Sequence, residues 1–491
     1  MAEMQKTKKK RGMPTSFTIL FGCLVAVAIC TWIVSAFTPD VTGATLAQVL
    51  TAPFEGFKNA IDVCLFVIVL GGFLAIVNKT GALDAGIATL VRKLGNRDTL
   101  LIPVLMILFG ICGSTYGMME ETIPFYILLA SVTFAMGFDS MVGALVVLLG
   151  AGLGTLGSTV NPFSVAIASA ALTDMGIAVN QGINIAVGFL LFVISEGMGI
   201  VFVMHYAKRV KASRAASAMT SEELARMDAA YAGEASDANG AADLANARLT
   251  GKQKLVLVLF ALAFVVMIVS FIPWESFGIN FFALGGTADN PGTAWSAVLT
   301  GLPLGQWYFT ECGVWFFVIS IAIGLVGGLS EKELVNTFVD GCSTMISTAL
   351  VIAVARAISV LMTQTGLDVF VLEAAASALS GVSAIIFAPA SYALYFVLSF
   401  LIPSSSGMAT VSMPIMGPLA DSLSFSPEIM IMIYVAAHGV VAMVTPTNGV
   451  IVSGLELAHT SYTSFLKLTL KFFVALTVVT AVVLTALMLV L

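Results

Sequence analysis

Two short polar runs interrupt otherwise apolar stretches, and both carry the residue types needed to hold a small polar solute away from water. The first is Ser114-Thr115-Tyr116-Gly117-Met118, with Glu120, Glu121 and Pro124 just beyond; the second is Ser404-Ser405-Ser406-Gly407-Met408, with Pro414 at the same internal spacing. Downstream lie two further breaks, Ser158-Thr159-Val160-Asn161-Pro162 and Thr445-Pro446-Thr447-Asn448-Gly449. Hydroxyls can cap freed helix ends, and glycines let the backbone turn and approach a ligand closely. Asn161 and Asn448 can bond both backbone and solute, while Pro162 and Pro446 keep helical hydrogen bonding from closing across the breaks. Glu120 and Glu121 add carboxylates that could receive a cationic group or carry a coupling proton; alternatively, they sit in water or bond back to free amides.

The elements that position these residues must be membrane helices. Of 491 residues, 59% are hydrophobic and 10% charged, with a mean hydropathy of +1.02; a soluble domain carries about 25% charged residues. Segments such as 17–37, 183–205, 255–272 and 465–491 reach the roughly 20 residues that cross a bilayer. Continuous apolar runs without ten-residue alternation favour helices over a barrel. Breaking a helix in lipid frees backbone groups that only protein, water or a ligand can satisfy, so four breaks form a polar cradle. Half-helix N-termini there favour negative charge and C-termini positive charge, which suits a zwitterion or an ion pair.

Positive charge sets the topology. Lys6, Lys8, Lys9, Lys10 and Arg11 place the N-terminus in the cytoplasm. Helices at about 17–37 and 59–78 bring Lys79, Arg92, Lys93 and Arg97 back inside. Stretch 99–137, broken at 110–117, reads as a hairpin dipping in from the cytoplasm, with one or two full spans as alternatives. Segments 141–172 and 183–206 then lead to Lys208, Arg209, Lys211 and Arg214. Residues 207–254 read as a cytoplasmic connector, helical at 221–231 with Ser221 as a cap and otherwise mobile. Residues 273–310 and 364–428 lack Lys and Arg and read as external, so the break at 403–407 belongs to a hairpin entering from outside. Segment 428–460 returns inward and the last helix exits, leaving the C-terminus outside. Only Lys58 and Arg356 escape the cytoplasmic side.

The landmarks recur in the same order, including Thr80-Gly81-Ala82-Leu83-Asp84 against Thr365-Gly366-Leu367-Asp368. With one hairpin opening inward and the other outward, the copies are inverted, a pattern that marks secondary transporters with a midplane site. The expected division is 1–57 (cytoplasmic N-terminus, first helix, external loop), 58–206 (first repeat), 207–254 (linker) and 255–491 (second repeat with preceding helices and external loop 273–310). Candidate substrate-binding residues are Ser114, Thr115, Gly117, Glu120, Glu121, Ser158, Thr159, Asn161, Ser404, Ser405, Ser406, Gly407, Thr445, Thr447 and Asn448. Arg356 could neutralise an acid or contact an anionic solute. Glu196 and His438 lie mid-segment, whereas Glu456 and His459 fall near the cytoplasmic end. The six cysteines are scattered without metal spacing and read as small buried hydrophobes. There is no P-loop, Ser–His–Asp set or metal motif, and no basic stripe for nucleic acid. The chain therefore reads as a carrier without cofactor or metal, not an enzyme, channel or sensor.

At Gly113–Phe125 (GSTYGMMEETIPF), Val160–Ser164 (VNPFS), Gly407–Ala420 (GMATVSMPIMGPLA) and Ala52–Gly56 (APFEG), the chain resembles the YfcC family. That family sits in the C4-dicarboxylate anaerobic carrier and arginine/ornithine antiporter branch of the ion transporter superfamily. The resemblance, covering roughly 50–480, implies an all-α polytopic protein with scaffold and transport domains, elevator-type motion and homodimers in the inner membrane. Superfamily relatives that bind sodium often carry Ser-Asn-Thr at the hairpin tips; here the tips read Gly-Ser-Thr and Ser-Ser-Ser. The expected activity is secondary transport of a small amino acid-like solute, a basic one of arginine/ornithine type, coupled to proton or sodium. The alternative is a C4-dicarboxylate or other carboxylate carrier in which Arg356 and hairpin amides hold the carboxylates.

Overall fold

The computed structural model describes residues 16–83, 85, 86, 89, 99–235, 249–272, 274–286 and 291–491. The basic residues Lys6, Lys8, Lys9, Lys10, Arg11, Arg92, Lys93 and Arg97, and linker residues 236–248, lie outside the described residues. In chain order the helices are α1 (Ser16–Ser35), α2 (Leu46–Asn59), α3 (Ile61–Lys79), α4 (Leu101–Tyr116), α5 (Ile123–Ala135), α6 (Ser140–Leu156), α7 (Ile167–Asp174), α8 (Gln181–Ala212), α9 (Ser221–Ala235) and α10 (Gly251–Phe271). From residue 309 onward come α11 (Phe309–Gly327), α12 (Glu331–Thr344), α13 (Ile346–Thr365), α14 (Leu367–Leu379), α15 (Ala384–Leu401), α16 (Ser405–Ser422), α17 (Pro427–Ala442), α18 (Gly449–Leu457) and α19 (Tyr462–Val490). Among the described residues, seven helices are long and apolar enough to cross a membrane. The protein is a multi-pass membrane protein.

Stretch 99–137 folds as a hairpin. Its arms, 16 and 13 residues long, are shorter than the roughly 20 needed to cross. Leu101, Ile102 and Leu105 at the start of α4 share a small apolar pocket with Val132, Thr133 and Met136 at the end of α5, so the arms run antiparallel. Stretch 384–425 does the same: the Phe387 and Phe425 rings meet at the base, 5.1 Å apart, and the Tyr395 hydroxyl on one arm donates to Ser412 on the other at 3.0 Å.

The two hairpin bases lie at opposite ends of α8. Its N-cap, Asn180, gives its amide to Glu428 beside the second base, at 2.7 Å. Near its other end, the Tyr206 hydroxyl donates to Asp139 beside the first base, at 2.6 Å. The 25 intervening residues correspond to about 38 Å of helix. Between the hairpins, α6 and α17 pack antiparallel: Gly152 lies against the Met443 side chain and Gly439 against the Leu156 backbone. Each ends in a break, at 157–161 and 443–448.

Helices α2, α12 and α14 were not foreseen, the last lying in the stretch 364–428 that read as external. The external loop expected after the first helix contains α2, started by a Thr45/Gln48 capping box, and α12 precedes α13 with a Ser330/Glu333 box. Gly56 of α2 rests on the backbone of Ala353 and Ala357 in α13; reciprocally, Gly341 of α12 rests on Gly71, Gly72 and Ala75 of α3. Where α3 meets α13, the Cys64 thiol donates to the Ala349 carbonyl across 285 residues. All six cysteines are free; Cys64, Cys112 and Cys312 are buried as expected, but Cys30 is exposed.

The described part of the connector is docked. Ser217 donates to Asp139 at 2.6 Å, and Arg214 pairs with Asp228. The cap of α9 is Thr220 rather than Ser221: its amide donates to Glu223 and its hydroxyl accepts from the Glu223 amide. The buried Glu223 carboxylate also accepts from the Ser461 amide at 2.7 Å and the Ser464 hydroxyl at 2.8 Å, so it caps α19 as well.

Burial alone would push the Glu223 carboxyl up, but hydrogen bonds from Ser461, the Thr220 amide and Ser464 outweigh it and hold it below the ordinary glutamate value of 4.5. A depressed folded-state pKa stabilises fully above the unfolded value and is lost as pH falls through the folded one. Docking of α9 will therefore be flat across neutral pH and loosen only in strong acid. Glu223→Ala removes charge-assisted bonds worth about 2–3 kcal/mol, so amide exchange in α9 should accelerate roughly 30- to 150-fold; unchanged exchange would exclude the clasp.

Candidate functional site

The four breaks meet. A cavity of about 110 Å³ at their junction is lined from the first hairpin by Gly117, Met119, Glu120 and Glu121, and from the second by Pro403, Ser404, Ser405 and Ser406. Asn161 and Thr155 of the first broken helix, Asn448, His438 and Ala442 of the second, Arg356 of α13, Val63 of α3, Phe163 and Phe309 complete it. The volume suits a few waters or a small solute.

Local sequence explains each contributor. Gly117 ends α4 with φ 78 and lies against the Asn161 amide; a side chain there would be strained by the left-handed backbone and would strike that amide. Asn161 and Asn448 each cap the second half of a broken helix, accepting from the Phe163 amide at 2.9 Å and the Val450 amide at 3.0 Å. Their side-chain nitrogens donate to Ser158 and to the Ala442 carbonyl, each at 3.0 Å. Ser404 caps α16 through the Gly407 amide at 3.2 Å, so the N-terminus of an 18-residue helix faces the cavity alongside that of α18.

Of the candidate residues, Gly117, Glu120, Glu121, Asn161, Ser404, Ser405, Ser406 and Asn448 line the cavity. Among the others, Ser114, Thr159 and Thr447 act one layer back, tying each hairpin to the neighbouring break. Ser114 donates to the Gly157 carbonyl at 2.7 Å, and Thr159 donates through its amide to the Ser114 carbonyl at 2.8 Å. Ser158 donates to the Thr155 carbonyl at 2.6 Å. In the second unit the Thr445 and Thr447 hydroxyls lie 2.7 Å apart, and Thr447 donates to the Phe400 carbonyl at 3.0 Å. Thr115 bonds back to the Ile111 carbonyl inside α4, so it caps no freed end. Gly407 lies in the first turn of α16, because the second break falls at 402–404 rather than 403–407.

Arg356 and His438, noted but left out of the candidate set, both reach the cavity. Arg356 forms no hydrogen bond or ion pair among the described residues, and it shares the cavity with Glu120. His438 Nδ1 lies 3.3 Å from the Ser399 hydroxyl. Glu121 is 1% exposed and accepts the Met119 amide at 3.1 Å. Phe163 and Phe309 stack as one wall, 5.9 Å between centroids. Neither aromatic had a signal beyond position: Phe163 follows the Asn161-Pro162 break, and Phe309 opens α11.

A second cavity, about 590 Å³, lies between α3 and α12 on one side and Pro124, Ile127, Leu128 and Ser131 of α5 on the other, with Lys79, Asp340 and the α9 residue Tyr231 at its walls.

Residues 39–489 match the family model of the C4-dicarboxylate anaerobic carrier. The chain belongs to that family. Among its relatives, an uncharacterized protein of Haemophilus influenzae is 30% identical over 400 residues, 81% of this chain and 70% of that protein. The putative basic amino acid antiporter YfcC of Escherichia coli is 26% identical over 444 residues, covering 87% and 78% respectively. Among solved structures, the Alcanivorax borkumensis YdaH transporter aligns over 96% of this chain and 98% of its own, with a TM-score of 0.45 and 15% identity. Neisseria gonorrhoeae MtrF, from a class of antimetabolite efflux pumps, covers 98% and 96%, with a TM-score of 0.44 and 17% identity. The carrier is thus a membrane transporter, and the cavity at its broken helices is the candidate site for its solute.

Proposed function

We propose that this carrier moves a small basic amino acid, of arginine or ornithine type, by alternating access across the inner membrane. The carrying observation is the charge set around one cavity: Arg356 on one wall, Glu120 and Glu121 on another, and helix N-termini at Ser404–406 and Asn448. Arg356 and the amides at Ser404–406 take the solute carboxylate, since helix N-termini favour anions. Glu120 and Glu121 take its ammonium groups. With Glu120, Glu121 and Arg356 ionised and His438 neutral, the cavity side chains sum to one negative charge, which a basic amino acid of net charge +1 neutralises. Ser114, Ser158, Thr159, Thr445 and Thr447 hold the tips in register with the breaks, and Thr115 and Gly407 shape the tips.

The opposed hairpins support a pair of inverted repeats. So does the reciprocal crossing of α2 on α13 and α12 on α3: Gly56 and Gly341 are separated by the same 285 residues as Cys64 and Ala349. This reading begins the first repeat before 58, with α1 and α2 equivalent to α11 and α12. Helices α1–α3 and α11–α13 form the scaffold, and the hairpins with their broken helices form the transport domain of an elevator, assembled as a homodimer. The N-terminus lies in the cytoplasm and the C-terminus outside, and the cavity beside α5 is the cytoplasmic vestibule.

A dicarboxylate solute is the second reading, favoured by Arg356, the helix N-termini and the family's description. The carboxylates of Glu120 and Glu121 in the cavity wall repel it unless both are protonated. Counterflow in proteoliposomes preloaded with unlabelled solute decides: labelled arginine and ornithine should accumulate, and labelled succinate and fumarate should not. Accumulation of succinate alone would reverse the assignment.

A further inference from the structure

Glu196 lies outside the cavity, fifteen residues into the 32-residue α8, with about 23 Å of helix on either side. Its side chain is 3% exposed, and neither carboxyl oxygen has a hydrogen-bond partner. Gly110 of α4 covers it so closely that a Cβ there would stand 3.0 Å from Oε2, with the Phe192 ring beside it.

Among the described residues, no cation or second acid compensates from the elements packed against α8. On α4, Cys112 lies beside Tyr116, whose ring stacks on Phe271; α6 carries no titratable residue. On α17, Glu428 serves Asn180, Tyr434 donates to the Ser405 carbonyl and His438 bonds Ser399. On α19, Lys467 and Lys471 are exposed and Tyr462 donates to the Val444 carbonyl. The turn after α8 carries Arg214, which is paired with Asp228.

An ionised carboxylate without a partner in a membrane interior is costly. The same residue in its acid form is tolerable. Its cover is α4, the arm whose end supplies Gly117 to the cavity and whose Gly110 carbonyl abuts Gly154, next to the cavity residue Thr155.

We propose that Glu196 is a proton-binding site that couples transport to the proton gradient: it holds a proton while α4 covers it and gives that proton to water when the first hairpin separates from α8. The step is a carboxylic acid and water becoming carboxylate and hydronium. This inference rests on the carrier reading above for its consequence, but not for the state of the carboxyl.

Glu196→Gln tests it, because glutamine mimics the permanently protonated side chain. Wild type should show pH-gradient-driven accumulation of labelled arginine (or of labelled succinate, in a parallel arm), with matching proton flux from entrapped pyranine. The variant should keep counterflow at equal pH within about twofold and lose driven accumulation at least tenfold. Infrared difference spectra of purified wild type and variant at neutral pH should contain the high-frequency carbonyl band of a protonated, non-hydrogen-bonded carboxyl. Counterflow absent from wild type in both arms would overturn the carrier reading while the infrared band still decides the proton site. Absence of that band, or driven accumulation unchanged in the variant, would overturn the coupling role.

Discussion

Arg356→Gln will abolish arginine counterflow while leaving the protein as stable as wild type. The guanidinium faces the cavity without a hydrogen bond or ion pair among the described residues. Removing it therefore breaks no hydrogen bond or ion pair among the described residues, so the fold should survive the change. The bound solute loses its partner. Truncating one member of a buried charge pair costs about 2–5 kcal/mol, which is a 30-fold to few-thousand-fold loss of affinity. Arg356→Lys should recover only part of it, because an ammonium lacks the planar fork that grips a carboxylate. Thermal unfolding in detergent, run beside counterflow, separates the explanations: a structural pair with Glu120 predicts a fall in melting temperature, and that fall would remove Arg356 from the binding role.

Glu121→Gln has the second-largest expected effect, and its sign depends on the solute. The carboxylate accepts the Met119 amide at 3.1 Å, a bond that the glutamine oxygen can also accept, so the tip should keep its shape. Only the charge goes. For a basic amino acid that loss should weaken binding by the same 30-fold or more. For a dicarboxylate it removes repulsion and should strengthen binding. Competition of unlabelled arginine and succinate against counterflow in the variant reads both directions at once; undiminished arginine binding would end the charge argument.

The cavity and the helices around it were legible to different degrees. The long apolar segments were readable because crossing lipid demands length and hydropathy together. The amphipathic α2 and α12 were not: Leu46–Asn59 includes Pro53 and Lys58, and Glu331–Thr344 is half polar, so only their glycine crossings on α13 and α3 give them a buried face. Serine and glycine at 404–407 look alike as loop formers, yet once the Ser404 hydroxyl takes the Gly407 amide, the next three residues become the first turn of a helix. The same logic moved the cap of α9 from Ser221 to Thr220, since the capping residue is set by which hydroxyl meets the third amide.

By itself the amino-acid sequence determined that the chain lives in a membrane, where it is interrupted, and that the interruptions come in two matched sets. Those conclusions follow from composition and order, which need no neighbours. Only the tertiary structure decided which polar groups face the cavity and which brace it. Ser114 and Ser404 occupy matching places in the chain, but one hydroxyl bonds the Gly157 carbonyl and the other stands at the cavity wall. Arg356 entered the cavity, and Glu196 was buried behind it, for the same reason. The direction in which a helical side chain points is set by how its helix is rotated against others, and that rotation comes from packing between segments hundreds of residues apart.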